Sequence, residues 1–275
     1  MADKFYSQYH DSNMLYEHKS ITDHPDEYPL HTHPICEILF VKSGNITYMI
    51  EGKSYIIKKN TLVLTRPSKG HSINFCDSSE YERYLILFDD KALFDGLYKR
   101  IPENFDVLEF GDNSIVIQLF EKFDYYCKNF EGKDLKKLLY SLTQELIYNI
   151  LISSNEPERP EYQVVNKLVK DAVRYIDENI TSSISINEIC DSLFITKSHL
   201  HHLFIKYLKM SPKKYIISKK LALAQRKLRS GAKPVHIYEN LGFSDYSSFY
   251  RAYKNYFGHS PSEETDIREI LEIKT

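Results

Sequence analysis

The tightest constraint on this chain is an internal repeat near its end. Laying residues 194–212 over 243–261, an offset of 49, pairs Phe194 with Phe243, Ser198 with Ser247, Leu200 with Phe249 and Phe204 with Tyr253. The pairing continues through Tyr207 and Tyr256, Leu208 and Phe257, Ser211 and Ser260, and Pro212 and Pro261. Just upstream the offset is 48, which pairs Ile189 with Ile237 and Leu193 with Leu241. Apolar residues recur at three and four between turn signals, so each copy reads as a short helix, a tight turn and a longer helix. That is a helix-turn-helix unit, a form whose second helix fits a major groove. Any pair of packed helices imitates one such unit, whereas two in register are specific.

Charge follows the same division. The whole chain of 275 residues carries a formal net charge of only -2. Cut near the polar, proline-containing stretch at 153–162, it separates into an acidic first part, 18 Lys and Arg against 26 Asp and Glu in residues 1–161, and a basic second part. Residues 162–262 hold 16 Lys and Arg against 7 Asp and Glu, or +9, and the last thirteen residues return to -3. A basic helical part on an acidic partner is the electrostatic footprint of a polyanion-binding domain.

In each second helix the spacing separates core from free face. Leu200, Leu203, Phe204, Tyr207 and Leu208 share one side, as do Phe249, Ala252, Tyr253, Tyr256 and Phe257. The opposite sides offer Lys197, Ser198, His199, His201, His202 and Lys206, and Tyr246, Ser247, Ser248, Tyr250, Arg251 and Lys254. These twelve are the candidate DNA-binding residues, the early ones placed for base edges and Lys206, Arg251 and Lys254 equally for phosphates. Between the units, "PKKYIISKKLALAQRKLRSG" predicts one helix, a rod able to hold two recognition helices about one DNA turn, ~34 Å, apart. "PVHIYENLGF" is expected to be a helix as well, making about six in this part.

The front of the chain has another period. Residues 36–88 alternate short apolar stretches with turn signals such as Gly44-Asn45 and Gly52-Lys53, which predicts a small all-β barrel or sandwich. Residues 114–152 change to a helical period, with Leu135, Leu138, Leu139, Leu142, Leu146 and Ile150 on one stripe, so two amphipathic helices follow. They either pack on the β domain or serve a dimer. No apolar run reaches the ~18 residues of a membrane span, and Cys36, Cys76, Cys127 and Cys190 are widely spaced, as in a protein of a reducing cytoplasm.

Residues 162–262 resemble the DNA-binding domain of the AraC/XylS family of bacterial transcription regulators. The signature stands here as "IYENLGFSDYSSFYRAYKNYFGHSP", with Ile237, Gly242, Phe243, Asp245, Ser247, Phe249, Arg251, Lys254, Phe257, Gly258 and Pro261 in place. Tyr238 and Cys190 stand where the family usually has alanine, Lys209 replaces a usual glycine after the first recognition helix, and His202 replaces a usual arginine. The front domain is similar to the cupin-like sensor of the same family through "HTHPICEILFVKSG". If 31–37 is one strand, His31, His33 and Glu37 share a face by the two-residue period, and a barrel could converge them with His71.

The resemblance implies a cupin-like effector-sensing barrel at 1–110, a helical pair at 111–153, a linker at 154–162, a double helix-turn-helix domain at 163–262 and an acidic tail at 263–275. It implies a sequence-specific regulator of transcription, an activator or a repressor. Its partners are double-stranded promoter DNA, RNA polymerase if it activates, and a second copy of itself. A small polar metabolite or sugar is expected at His31, His33, Glu37, Tyr48 and His71. No cofactor, catalytic residue, metal or membrane is called for. Two alternatives stand beside this reading: a metal-dependent cupin enzyme using His31, His33, Glu37 and His71 with an appended helical domain, and a regulator without an effector.

Overall fold

The computed structural model describes residues 4–153, 163–164 and 166–263; the expected linker at 154–162 and the acidic tail after Glu263 lie outside the described residues. The first half is β-rich. One sheet holds β1 (Lys4–His10), β2 (Met14–Ile21), β4 (Cys36–Ser43), β7 (Thr61–Thr65), β9 (Tyr81–Phe88) and β10 (Val107–Glu109), in the order β1-β2-β9-β4-β7-β10. A second holds β3 (Glu27–His31), β5 (Ile46–Ile50), β6 (Lys53–Ile57), β8 (His71–Phe75) and β11 (Gln163–Val164), in the order β11-β6-β5-β8-β3. The paired strands are antiparallel. The β domain is as expected, but among the described residues its sheets stay open and no ladder closes them into a barrel. Two sheets facing across a shared core hide the same apolar faces as a closed barrel, so alternation alone does not distinguish them.

The alternation in β4 shows the layering. Leu39 and Val41 point between the sheets, into a core with Tyr48, Ile50, Tyr55 and Ile73. Ile38 and Phe40 point the other way, onto a helical layer. That layer is α2 (Ile115–Asn129) and α3 (Gly132–Ser153), which follow a short α1 (Asp90–Phe94) and lay Phe120, Phe123, Leu139, Leu142, Leu146 and Ile150 on the sheet. Phe40 and Phe120 stack at 4.7 Å. The apolar stripe of the two helices is thus spent on the first sheet.

The second half contains α4 (Lys167–Asn179), α5 (Ile186–Leu193), α6 (Lys197–Leu208), α7 (Pro212–Arg229) and α8 (Tyr246–Phe257). "PVHIYENLGF" departs from expectation: it forms two 3₁₀ turns, Pro234–His236 and Glu239–Leu241, closed by short-range bonds such as Ile237 N to Pro234 O and Gly242 N to Glu239 O. With only Ile237 and Leu241 buried there, little apolar surface holds a full helix between Pro234 and Gly242.

The halves are not beads on a string. Gln163 and Val164 pair with Ser54 and Lys53 at the edge of the second sheet. Leu30 and Met49 of the β domain join the core formed by α4, α5, α6 and the start of α7. No described helix is long and apolar enough to cross a membrane, and the four cysteines are free thiols.

Candidate nucleic-acid interface and sensor site

Both recognition helices are fixed at each end by local chemistry. Thr196 caps α6 by accepting from His199 N, and Asp245 caps α8 by accepting from Ser248 N. That backbone bond, first among several, holds the Asp245 carboxyl below its usual range. Each helix ends in a left-handed residue, Lys209 at φ 55° and Gly258 at φ 83°. Capped, repeated and followed by the same turn, α6 and α8 are equivalent helices at the offset of 49 read from the sequence.

The turn before them corrects one pairing. Leu193 and Leu241 correspond, and the next residues, Phe194 at φ 54° and Gly242 at φ 63°, are both left-handed caps. By conformation Phe194 therefore matches Gly242, not Phe243, and the second turn carries one extra residue. Phe194 is 95% exposed. Gly242 is locked in: a Cβ there would lie 2.4 Å from the Ser182 carbonyl oxygen. The same oxygen accepts from Lys220 Nζ at 2.8 Å, so the loop before α5 is pinned between α7 and the second unit.

Of the twelve candidates, Lys197, Ser198, His199, His201, His202, Lys206, Ser247, Arg251 and Lys254 are exposed. Lys197, Ser198, His201 and His202 line one shallow groove with Ile186 and Lys213. Ser248 and Tyr250 are half-buried, and Ser248 is held by Asp245. Tyr246 is drawn into packing, its ring 6.1 Å from both Tyr238 and Phe249. Arg251 donates across a long contact of 3.5 Å to Ser248 Oγ and is exposed. Eighteen residues of α7 separate the two units, about 27 Å at 1.5 Å per residue.

The sensor residues meet beside the helical half, where His31 lines a cleft with Leu208 of α6 and Tyr256 of α8. His33 Nε2 is 3.0 Å from Glu37 Oε2, and Tyr48 donates to the other oxygen of Glu37 at 2.9 Å. His71 Nε2 is 3.7 Å from Glu37 Oε2. His31, His33 and His71 each bring one ring nitrogen within 4.8 Å of the others. His33, Glu37, Tyr48 and His71 are buried and His31 is half-buried. Burial pushes the Tyr48 phenol well up, so it stays a donor.

Sequence reasoning missed a second polar cluster at the seam. Lys219, 3% exposed in α7, reaches both oxygens of Glu51 at 3.0 Å and Asp177 at 2.5 Å. Tyr215 also donates to Glu51, at 3.1 Å, and Lys69 donates to Asp177 at 2.8 Å. Burial raises the Glu51 carboxyl, while for Asp177 it is overcome by Lys219 and Lys69, which hold that carboxyl down to about 2. Thr32 donates to Ser218 O on the same helix, and Arg229 at its end donates to Ser12 O. One sequence signal existed: Lys219 sits four residues from both Tyr215 and Leu223, on an apolar row where a lysine needs a buried partner.

Residues 17–101 match the AraC-like ligand binding domain, and residues 189–266 match a helix-turn-helix domain. The Msm operon regulatory protein of Streptococcus mutans serotype c is 32% identical over 131 residues, 47% of this chain and 45% of that protein. The HTH-type transcriptional activator RhaS of Escherichia fergusonii is 22% identical over 251 residues, 86% of this chain and 87% of that protein. This chain spans less than half the length of the first curated relatives it matches, 45%, 36% and 33%. Among solved structures, ToxT from Vibrio cholerae O395 aligns at 15% identity over 96% of this chain and 99% of that one, with a TM-score of 0.42. The ligand-binding and helix-turn-helix matches fall on the β-rich and helical halves in turn, and the chain belongs to the AraC family of transcription regulators.

Proposed function

We propose that this chain is a one-component regulator that binds a promoter through α6 and α8 and is governed by a ligand at His31, His33, Glu37, Tyr48 and His71. The observation that carries the DNA reading is the exposed polar face on two equivalently capped helices, within a segment of charge +9, joined by one long helix. Lys197, Ser198, His199, His201 and His202, and Ser247, Ser248, Tyr250 and Arg251, face the base edges; Lys206 and Lys254 take phosphates. Tyr246 positions α8 from its core side. The relatives named above regulate operons or activate transcription, which favours an activator that also meets RNA polymerase, works in the cytoplasm and catalyses no reaction. A second copy is assigned to the outer side of α2 and α3, where Tyr125, Tyr148 and Ile152 are exposed.

Fluorescence anisotropy of the full chain on duplex DNA tests this. Binding should weaken steeply with salt, log affinity falling by about 0.9 per decade of salt for each phosphate neutralised. Affinity independent of salt refutes the reading. So does an unchanged affinity when Lys197 and Arg251 are both replaced by alanine.

A further inference from the structure

One residue of the helical half breaks two rules of folding at once. Phe194 joins α5 to α6 at φ 54°, in the left-handed region where a side chain with a Cβ crowds its own backbone, and its ring is 95% exposed. The conformation itself is required, because the turn closes through Phe194 N to Asp191 O at 3.4 Å and Ile195 N to Cys190 O at 3.0 Å. The second unit makes the same turn with Gly242, which meets the requirement without strain. Phenylalanine brings the strain and gains no contact in return: Leu193 and Ile195 on either side pack against the core of the first unit, and the Phe194 ring stands clear of it. The other non-glycine residues with positive φ among the described residues are Glu51, Asn60, Ser68, Asp95 and Lys209, all polar or charged. Phe194 adds an apolar ring in water to the same backbone cost, so what justifies it lies outside the fold.

The position of Phe194 indicates its partner. It lies two residues before the cap Thr196 and three before Lys197, so at most about 11 Å of chain separates it from the start of α6. Lys197, Ser198 and His199 are exposed there, on the end of the helix assigned to base edges and within the segment of charge +9. Phosphates draw the cations of that end, but they have nothing to offer a phenyl ring. What a base pair presents to an apolar side chain in the major groove is the 5-methyl group of thymine.

We propose that Phe194 reads a thymine, its ring packing on the 5-methyl group of one base at the leading edge of the first recognition helix. The inference rests on the DNA reading above and adds a specificity-determining residue to it. The second unit has no counterpart. Gly242 is set against Ser182, and Phe243 after it spends its ring on Phe249, 5.4 Å away within the fold. The two halves of the DNA site therefore differ, and the thymine is required under the first unit.

The test uses the full chain and a duplex that it selects from a random pool. Fluorescence anisotropy compares this duplex with copies in which each thymine in turn is replaced by uracil, which lacks only the methyl group. One replacement, in the segment covered by the first unit, is expected to weaken binding about fourfold, the worth of one buried methyl. Phe194→Gly should bind the thymine duplex at least about fourfold more weakly and lose the distinction between thymine and uracil at that position. Its slope of log affinity on log salt should stay the same, since no phosphate contact is removed. Its unfolding temperature should equal that of the natural chain or exceed it by up to about 4 °C, because glycine relieves the backbone, so weaker binding is not lost folding. Phe194→Tyr keeps the ring and should keep the discrimination. A Phe194→Gly chain that binds the thymine duplex as tightly as the natural chain overturns the proposal, as does one that still prefers thymine to uracil at the same position, or a selected site without thymine under the first unit. In those cases salt-dependent binding by the natural chain leaves the regulator reading standing, whereas no binding to any duplex removes both.

Discussion

Gly242→Ala is the sharpest perturbation of the helical half. Glycine sits there at φ 63°, and a Cβ would meet Ser182 O at 2.4 Å, Ser182 C at 2.5 Å and Ser183 N at 2.6 Å. The left-handed conformation costs an alanine about 1 kcal/mol. Ordinary contact begins near 3.4 Å, so the 182–183 backbone has to move by about 1 Å against Lys220 and α4, an overpacking worth about 1–3 kcal/mol more. The total is about 2–4 kcal/mol out of a domain stability of about 5–15 kcal/mol. Urea unfolding followed by far-UV ellipticity reads it as a midpoint lowered by about 1 M at a slope of about 2–3 kcal/mol per M. Lys209→Gly is the matched control. It has the same left-handed backbone at φ 55° and an exposed side chain, so it should gain about 0.5–1 kcal/mol. A Gly242→Ala chain within about 0.5 kcal/mol of the parent, the ordinary range of a surface change, refutes the close approach at Ser182.

Lys219→Met should destabilise the chain by about 3–5 kcal/mol, because Glu51 and Asp177 keep their burial and lose the cation between them; Glu51→Gln in the same chain should return part of the loss. Asp177, depressed to about 2 in the folded chain, contributes stability present above its unfolded pKa of about 3.9 and lost as pH falls toward 2, about 2 kcal/mol in all, and Asp177→Asn should flatten that limb of an acid titration. Arg251→Ala should cost about 1–3 kcal/mol of binding at one base position only; uniform weakening across sequences assigns it to phosphate.

The parts legible in the sequence are those whose chemistry is local. Thr196 and Asp245 as caps, the apolar rows of α6 and α8, and Lys209 in the place of a glycine all lie within a turn or two of what they control. The slip at Phe194 was hidden because side-chain likeness pairs two phenylalanines, whereas conformation pairs Phe194 with Gly242. The 3₁₀ turns after Pro234 escaped for a related reason: apolar spacing at Ile237 and Leu241 fits either helix, and the surface they bury decides between them. Alternation located the strands of the sensor, yet which edges pair is a property of the whole sheet. The seam was least visible, since Glu51, Lys69, Asp177, Tyr215 and Lys219 come from four elements or turns and meet only after folding.

Footprinting of the full chain on its selected site addresses bipartite recognition most directly. Two protected major-groove segments about 10 base pairs apart on one face are expected, with Lys197→Ala weakening one and Arg251→Ala the other. Inserting about 5 base pairs between them turns one segment by half a turn and should abolish simultaneous protection by a single chain, since α7 is one continuous helix. A single protected segment, or full protection of both after the insertion, contradicts recognition by two helices and leaves one unit a purely structural part of the fold.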